Sequence, residues 1–185
     1  MGDSFQSFTL PETGGGSAEA VAAQISGWLV AKGIGRKGAI TAPPGVTGLA
    51  PGPRADDALA SKQSGWQDSA FDEIHICPTR RVTAAVQGGL GPVSCPDCET
   101  LLGDSQNLPP AFMRAVDEWH SGSVGMLKCP ACGSSFPITK WRTEPYWAFG
   151  NVTITFWNWP RIKDSFAREL EAETGQPVKV VRGKI

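Results

Sequence analysis

The chain has 185 residues, with 17 Lys and Arg against 18 Asp and Glu for a formal net charge of -1. Such a balance argues against a phosphate-neutralising nucleic-acid protein, which advertises an excess of Lys and Arg. The length suffices for a real hydrophobic core. No stretch approaches the apolar run a membrane helix needs, and the first residues lack the basic and apolar regions of a signal peptide. The expectation is a cytoplasmic protein without a membrane partner.

Taken in chain order, residues 4–10 place Phe5, Phe8 and Leu10 on a short strand. The pentapeptide 10–14 (Leu-Pro-Glu-Thr-Gly) matches a sortase recognition motif by letter. It stands near the N-terminus with neither the apolar segment nor the basic tail of a sorting signal, so it reads as a turn. Ser17 is an N-cap for a helix to about Lys32, with Val21, Ile25, Trp28 and Leu29 on one face. Residues 34–70 are dense in Gly and Pro and read as a long loop, with one helical turn near 56–62. No phosphate-loop pattern occurs among those glycines.

From Phe71 the chain tightens. Ile74, Ile76, Val82, Ala84 and Val86 alternate as one or two strands around Pro78, and 88–91 turn the chain. After Pro109 and Pro110, the residues Phe112, Ala115, Val116 and Trp119 recur at helical spacing until Gly122. Residues 151–159 alternate as a strand, with Val152, Ile154 and Phe156 on one face. Ile162, Phe166 and Leu170 then mark a helix capped by Gly175, and Val178, Val180 and Val181 a last strand. Strand, helix and strand in that order form a crossover between parallel strands. The fold class expected is α+β, a small mixed sheet with flanking helices. The parts are an N-terminal strand and helix (1–33), a Gly/Pro-rich loop (34–70), and an α+β region (71–185) forming one compact domain with that helix.

The chemistry concentrates in two Cys-x-x-Cys pairs, Cys95-Pro96-Asp97-Cys98 and Cys129-Pro130-Ala131-Cys132. Each pair can place two thiolates on one metal, and two pairs complete the four-coordinate shell that Zn(II) favours. The pairs with their flanks (95–141) resemble a zinc ribbon, here with a helix inserted between the knuckles. The resemblance implies structural Zn(II), because four thiolates leave no open coordination position for catalysis. It says nothing about activity. A single pair at a strand-to-helix junction would suggest a redox dithiol instead, and two matching pairs favour shared metal ligation. The odd fifth cysteine, Cys77, suits a reducing compartment better than a disulfide framework.

His75 and Cys77, two apart on a strand, offer a nucleophile pair or a second metal site, with Asp72 or Glu73 as carboxylate partners. The plainer reading is a buried small side chain beside a surface histidine. His120, at the end of the inserted helix, has no ligand vacancy to fill. The aromatic residues 141–159 offer a contact surface, with Trp147, Trp157, Trp159 and Arg161 as partner-binding candidates. Core packing and a stacking platform for single-stranded nucleic acid are the other readings of that cluster. Together these point to a non-catalytic zinc-ribbon protein that binds another protein, as an adaptor, regulatory or immunity-type module. A nucleic-acid-associated ribbon and an enzyme using His75 and Cys77 remain as alternatives.

Overall fold

The computed structural model describes residues 3–11, 17–38, 42–63, 65–66, 72–85, 92–103, 108–143 and 146–185. Residues 12–14, which complete the pentapeptide, lie outside these, as do Phe71, Val86 and 88–91. The fold is α+β. It divides into two units, residues 1–83 with 148–185, and residues 84–147. That division cuts across the partition expected from the sequence, because the cysteine-bearing segment is inserted between two halves of the other unit.

In the first unit, β1 (Ser4–Leu10) occupies an inner position of a six-stranded sheet. It lies between β12 (Val152–Trp157) and β13 (Lys179–Lys184), antiparallel to both. The two outer strands therefore run parallel, as a strand–helix–strand crossover requires, but with β1 inserted between them. On the far side of β12 come β4 (Glu73–Cys77), β3 (Thr47–Pro51) and β2 (Gly35–Arg36), each antiparallel to its neighbour. The Gly/Pro-rich stretch is thus not a plain loop. It supplies two strands and a 3-10 turn at Ala55–Ala58, nearly where one helical turn was expected.

The strand period of two sorts the side chains. Phe8 and Leu10, Ile74 and Ile76, and Val152, Ile154 and Phe156 join one core with residues of two helices. The first helix, α1 (Ala18–Ala31), begins at Ser17, whose hydroxyl accepts from the Ala20 N–H at 3.1 Å. It buries Ala22, Ile25 and Leu29, while Val21 and Trp28 pack at the core's edge. The third helix, α3 (Ser165–Thr174), buries Phe166 and Leu170. Phe8, Phe156 and Phe166 meet edge to face with centroids 5.1–5.7 Å apart, fixing sheet and helix together. On the sheet's other face, Ser7 and Thr155 share a hydroxyl pair at 2.9 Å, and Thr9 and Thr153 one at 3.4 Å. These hydroxyls are buried, so pairing offsets their loss of water.

One buried polar side chain fixes the turn after β12. Gln6 Nε2 donates to the carbonyls of Trp159 (3.2 Å) and Pro160 (2.9 Å), while its Oε1 accepts the Ile162 N–H (2.8 Å). A Gln6→Leu variant keeps the volume and strands three backbone groups. We expect a loss of about 3 kcal/mol in urea unfolding. A loss below about 1 kcal/mol would show that water reaches this turn.

The second unit contains β6 (Val93–Ser94), β7 (Leu101–Gly103), α2 (Pro110–His120), β8 (Met126–Lys128), β9 (Ser135–Pro137) and β10 (Arg142–Thr143). The chain leaves the first unit along β5 (Arg81–Ala84) and returns along β11 (Trp147–Gly150), and these two strands pair. No helix among the described residues is long and apolar enough to cross a membrane.

Candidate metal centre

The two cysteine pairs sit at the tips of two hairpins built to one plan. Strands β6 and β8 each end one residue before the first cysteine of a pair, and β7 and β9 each begin six residues after it. In the first knuckle the Cys95 N–H donates to the Thr100 carbonyl (3.0 Å) and the Glu99 N–H to the Cys95 carbonyl (3.1 Å). In the second, Cys129 N–H donates to the Ser134 carbonyl (2.8 Å) and Gly133 N–H to the Cys129 carbonyl (3.0 Å). The two knuckles therefore share one hydrogen-bond pattern, position for position.

That pattern needs a left-handed residue just after each second cysteine. Gly133 supplies it at φ 76°, whereas Glu99 adopts φ 60° with a side chain in place. A non-glycine residue there costs about 1–2 kcal/mol. Glu99 also pairs with Arg142 at 2.7 Å, but both side chains are mostly exposed, where such pairs are worth little. We expect Glu99→Gly to raise stability by up to about 1 kcal/mol in chemical denaturation. A loss instead would mean that the Arg142 pair outweighs the backbone strain.

The four Sγ atoms converge within 4.8 Å of one another. Cys95 and Cys132 sulfurs are 3.9 Å apart, and those of Cys98 and Cys129 3.7 Å. Four thiolates around one ion at about 2.3 Å would stand about 3.8 Å apart, whereas a disulfide needs about 2.0 Å. The spacing suits a shared ion and excludes disulfide bonds. Cys95 and Cys129 are buried, Cys98 and Cys132 exposed.

The surroundings already favour thiolate at one position. Cys98 Sγ lies 3.3 Å from Thr100 Oγ1, and its hydrogen bonds with the Thr100 side chain and backbone draw the thiol down to about 6. Burial pushes Cys95 up to about 11, against the Cys98 and Asp97 amides that lower it. A divalent cation among them reverses that penalty, since a coordinating thiol is deprotonated outright. Ser134 Oγ donates to Asp97 Oδ2 at 3.0 Å and ties the second knuckle to the first.

Helix α2 buries Phe112, Ala115, Val116 and Trp119, the four residues its periodicity singled out. Phe112 meets Trp147 edge to face at 5.7 Å. The helix is followed by Gly125, whose carbonyl accepts the Ile138 N–H at 2.8 Å. So the inserted helix and the second hairpin are fastened at the same turn.

The remaining candidates lie apart from this centre. His120 ends α2, exposed, with its ring 5.3 Å from that of Trp119. Glu73, His75 and Cys77 alternate onto one face of β4, and His75 Nε2 meets Glu73 Oε2 at 2.7 Å. Cys77 is buried and faces Thr79 Oγ1 at 3.1 Å. The four aromatic-cluster candidates do not form one surface. Trp147 is buried in the second unit, and Trp159 is buried against Trp66 and Phe156 in the first. Trp157 is half-buried between Phe5 and His75, and Arg161 is exposed beside Asp164. Burial turns Trp147 and Trp159 to packing, which residue type alone did not reveal.

Asp72 is buried, and burial raises its carboxyl from 3.8 to about 6. Its proton is thus held more tightly in the folded chain than in the unfolded one. The stability gained is complete below about pH 4 and is lost as pH rises through 6. We expect Asp72→Asn to raise Tm by a few degrees at pH 7–8, with the gain shrinking to nothing as pH falls toward 4. A pH-independent gain would locate the effect elsewhere.

The sequence reading missed the duplicated knuckle plan, although its trace was present: Glu99-Thr100 and Gly133-Ser134 follow the two pairs, each a left-handed residue before a hydroxyl. It also missed the exposed apolar side chains of the second unit. No protein-family model matches this chain, and no curated protein or solved structure matches it either.

Proposed function

We propose that Cys95, Cys98, Cys129 and Cys132 hold one structural Zn(II), making 95–141 a zinc ribbon, and that the ribbon unit binds another protein as an adaptor or regulatory module. Zinc is the metal that best suits four thiolates in a tetrahedral arrangement. When bound, it would supply a cross-link between the hairpins and, with four sulfurs around it, no open position for a substrate. A reducing compartment such as the cytoplasm keeps these thiols available for it.

The observation that carries the binding role is where the exposed apolar side chains fall. Among the described residues the large exposed hydrophobics are Val30, Leu101, Met113, Val124, Met126, Tyr146 and Ile185. Five of these, Leu101 through Tyr146, belong to residues 84–147. With five of these seven exposed side chains, this unit is where a protein partner would find apolar contact area.

The test places a photo-crosslinking residue at 126 or 101 in the cellular protein, with position 37 as control. A discrete protein adduct from 126 and 101 but not from 37, lost in Cys129→Ser, supports the reading. Crosslinking only within the chain itself, with one zinc bound per chain, would leave the zinc assignment standing and overturn the partner. Absence of zinc in the natively purified protein by elemental analysis would overturn the ribbon.

A further inference from the structure

The first unit holds a cleft of about 230 Å³ lined by Asp3, Glu73, His75, Trp157, Asn158 and Ile185. Strand register builds it. Trp157 on β12 stands opposite Glu73 on β4, and Thr155 opposite His75, so indole, carboxylate and imidazole share one face. The Trp157 ring is backed by Phe5 at 5.7 Å and meets His75 edge to face at 6.3 Å. A carboxylate only accepts, so His75 Nε2 donates to Glu73 Oε2 across their 2.7 Å contact. That bond fixes both side chains.

The second carboxylate is fixed by a turn residue. Asn158 adopts φ 59°, a left-handed conformation that Asn tolerates better than most residues. From there its Oδ1 accepts the Ser4 N–H at 3.0 Å, and its Nδ2 donates to Asp3 Oδ1 at 3.1 Å. The Asp3 carbonyl in turn accepts the Ile185 N–H at 2.9 Å. The cleft therefore presents two anchored carboxylates and a half-buried indole, and no lysine or arginine among the described residues lines it.

We propose that this cleft binds an organic cation bearing N–H donors, an alkylguanidinium or alkylammonium group. The indole attracts a cation to its face, and the carboxylates form charge-assisted hydrogen bonds with its N–H groups. A quaternary ammonium satisfies the first of these and leaves the carboxylates unpaired. An anion meets only repulsion here.

The test is NMR titration of the full-length, metal-loaded, 15N-labelled protein with ethylguanidinium, and with the neutral isostere ethylurea as control. We expect saturable shifts at the Trp157 indole N–H and the His75 amide with ethylguanidinium alone, and weaker ones with tetramethylammonium. Glu73→Gln should weaken binding about 10-fold or more, and Trp157→Leu about 3-fold or more. Trp157→Phe, which keeps an aromatic body in place, serves if the leucine variant loses its fold. A parallel titration with N-acetyl-arginine methylamide separates two sources of the same group. Equal affinity for it identifies a basic side chain of a polypeptide as the ligand, and preference for the bare ion identifies a small free cation. Equal shifts with ethylurea, undiminished binding in Glu73→Gln, or no saturable shift at these two residues would overturn the site.

Discussion

With zinc held by the four cysteines as proposed, chelating it is expected to unfold residues 84–147 while the six-stranded sheet keeps its structure. The second unit has a small core. Four of its buried apolar side chains come from α2, with Val93, Leu127, Ile138, Trp141 and Trp147 beside them, and its two cysteine-bearing hairpins rest on strands of two or three residues. Domains of this size seldom stand without a staple. Structural zinc binding in comparable knuckles is worth about 10–16 kcal/mol at neutral pH, which becomes folding free energy. Cys129→Ser should act like the chelator, since it removes a buried ligand and leaves three thiolates around the ion. Hydrogen exchange resolves the outcome by region. The amides of Cys129, Gly133 and Ile138 should lose protection, and those of β1 and β12 should keep it. Unchanged protection at the knuckles after complete metal removal would mean that packing alone holds the hairpins.

Gly125→Ala should destabilise the same unit by about 3 kcal/mol or more, a large effect for one methyl group. Two terms add. Gly125 sits at φ 62°, where alanine pays a backbone penalty, and a Cβ built there overlaps the Ala115 carbonyl oxygen of α2. The turn cannot easily retreat. Gly125 N–H donates to Ser123 Oγ at 3.2 Å, and its carbonyl accepts from Ile138. Gly133→Ala is the control, because φ there is also positive but nothing lies within 4 Å of the added carbon. That variant should lose only the conformational term, about 1–2 kcal/mol. Urea unfolding of both, metal-loaded, separates the terms. Equal losses would show that α2 does not press on this turn.

These two variants also mark what could be read from the sequence. The cysteine cluster was legible because Cys-x-x-Cys spacing is local chemistry, complete within four residues. The buried face of α2 was legible for a similar reason, as were Ile25 and Leu29 of α1 and Phe166 and Leu170 of α3, since helical periodicity is written in neighbouring positions. The contact between Gly125 and Ala115 was not, because close approach of two backbones depends on where a helix lands. Strands β2 and β3 were missed in a stretch whose Gly48 and Pro51 argue locally against a strand. Their pairing with β4 is tertiary, and it overrode the local signal. The parallel sense of β12 and β13 was legible from the intervening helix, but the strand between them comes from the far end of the chain. Trp147 and Trp159 illustrate the remaining limit. A tryptophan in a strand-rich segment suits a core and a contact surface alike, and only the fold assigns it.

The inner place of β1 has a consequence for synthesis. Ser7 pairs with Thr155 across 148 positions, and Gln6 with Ile162 across 156. The N-terminal strand therefore leaves the ribosome with neither neighbour made, and at about 5–20 residues per second it waits on the order of ten seconds. The cysteine-bearing unit is continuous in sequence and can fold during that interval. A strand made before both of its neighbours is then among the last to be seated in the sheet, and it spends the wait as an unpaired, partly apolar strand open to chaperones.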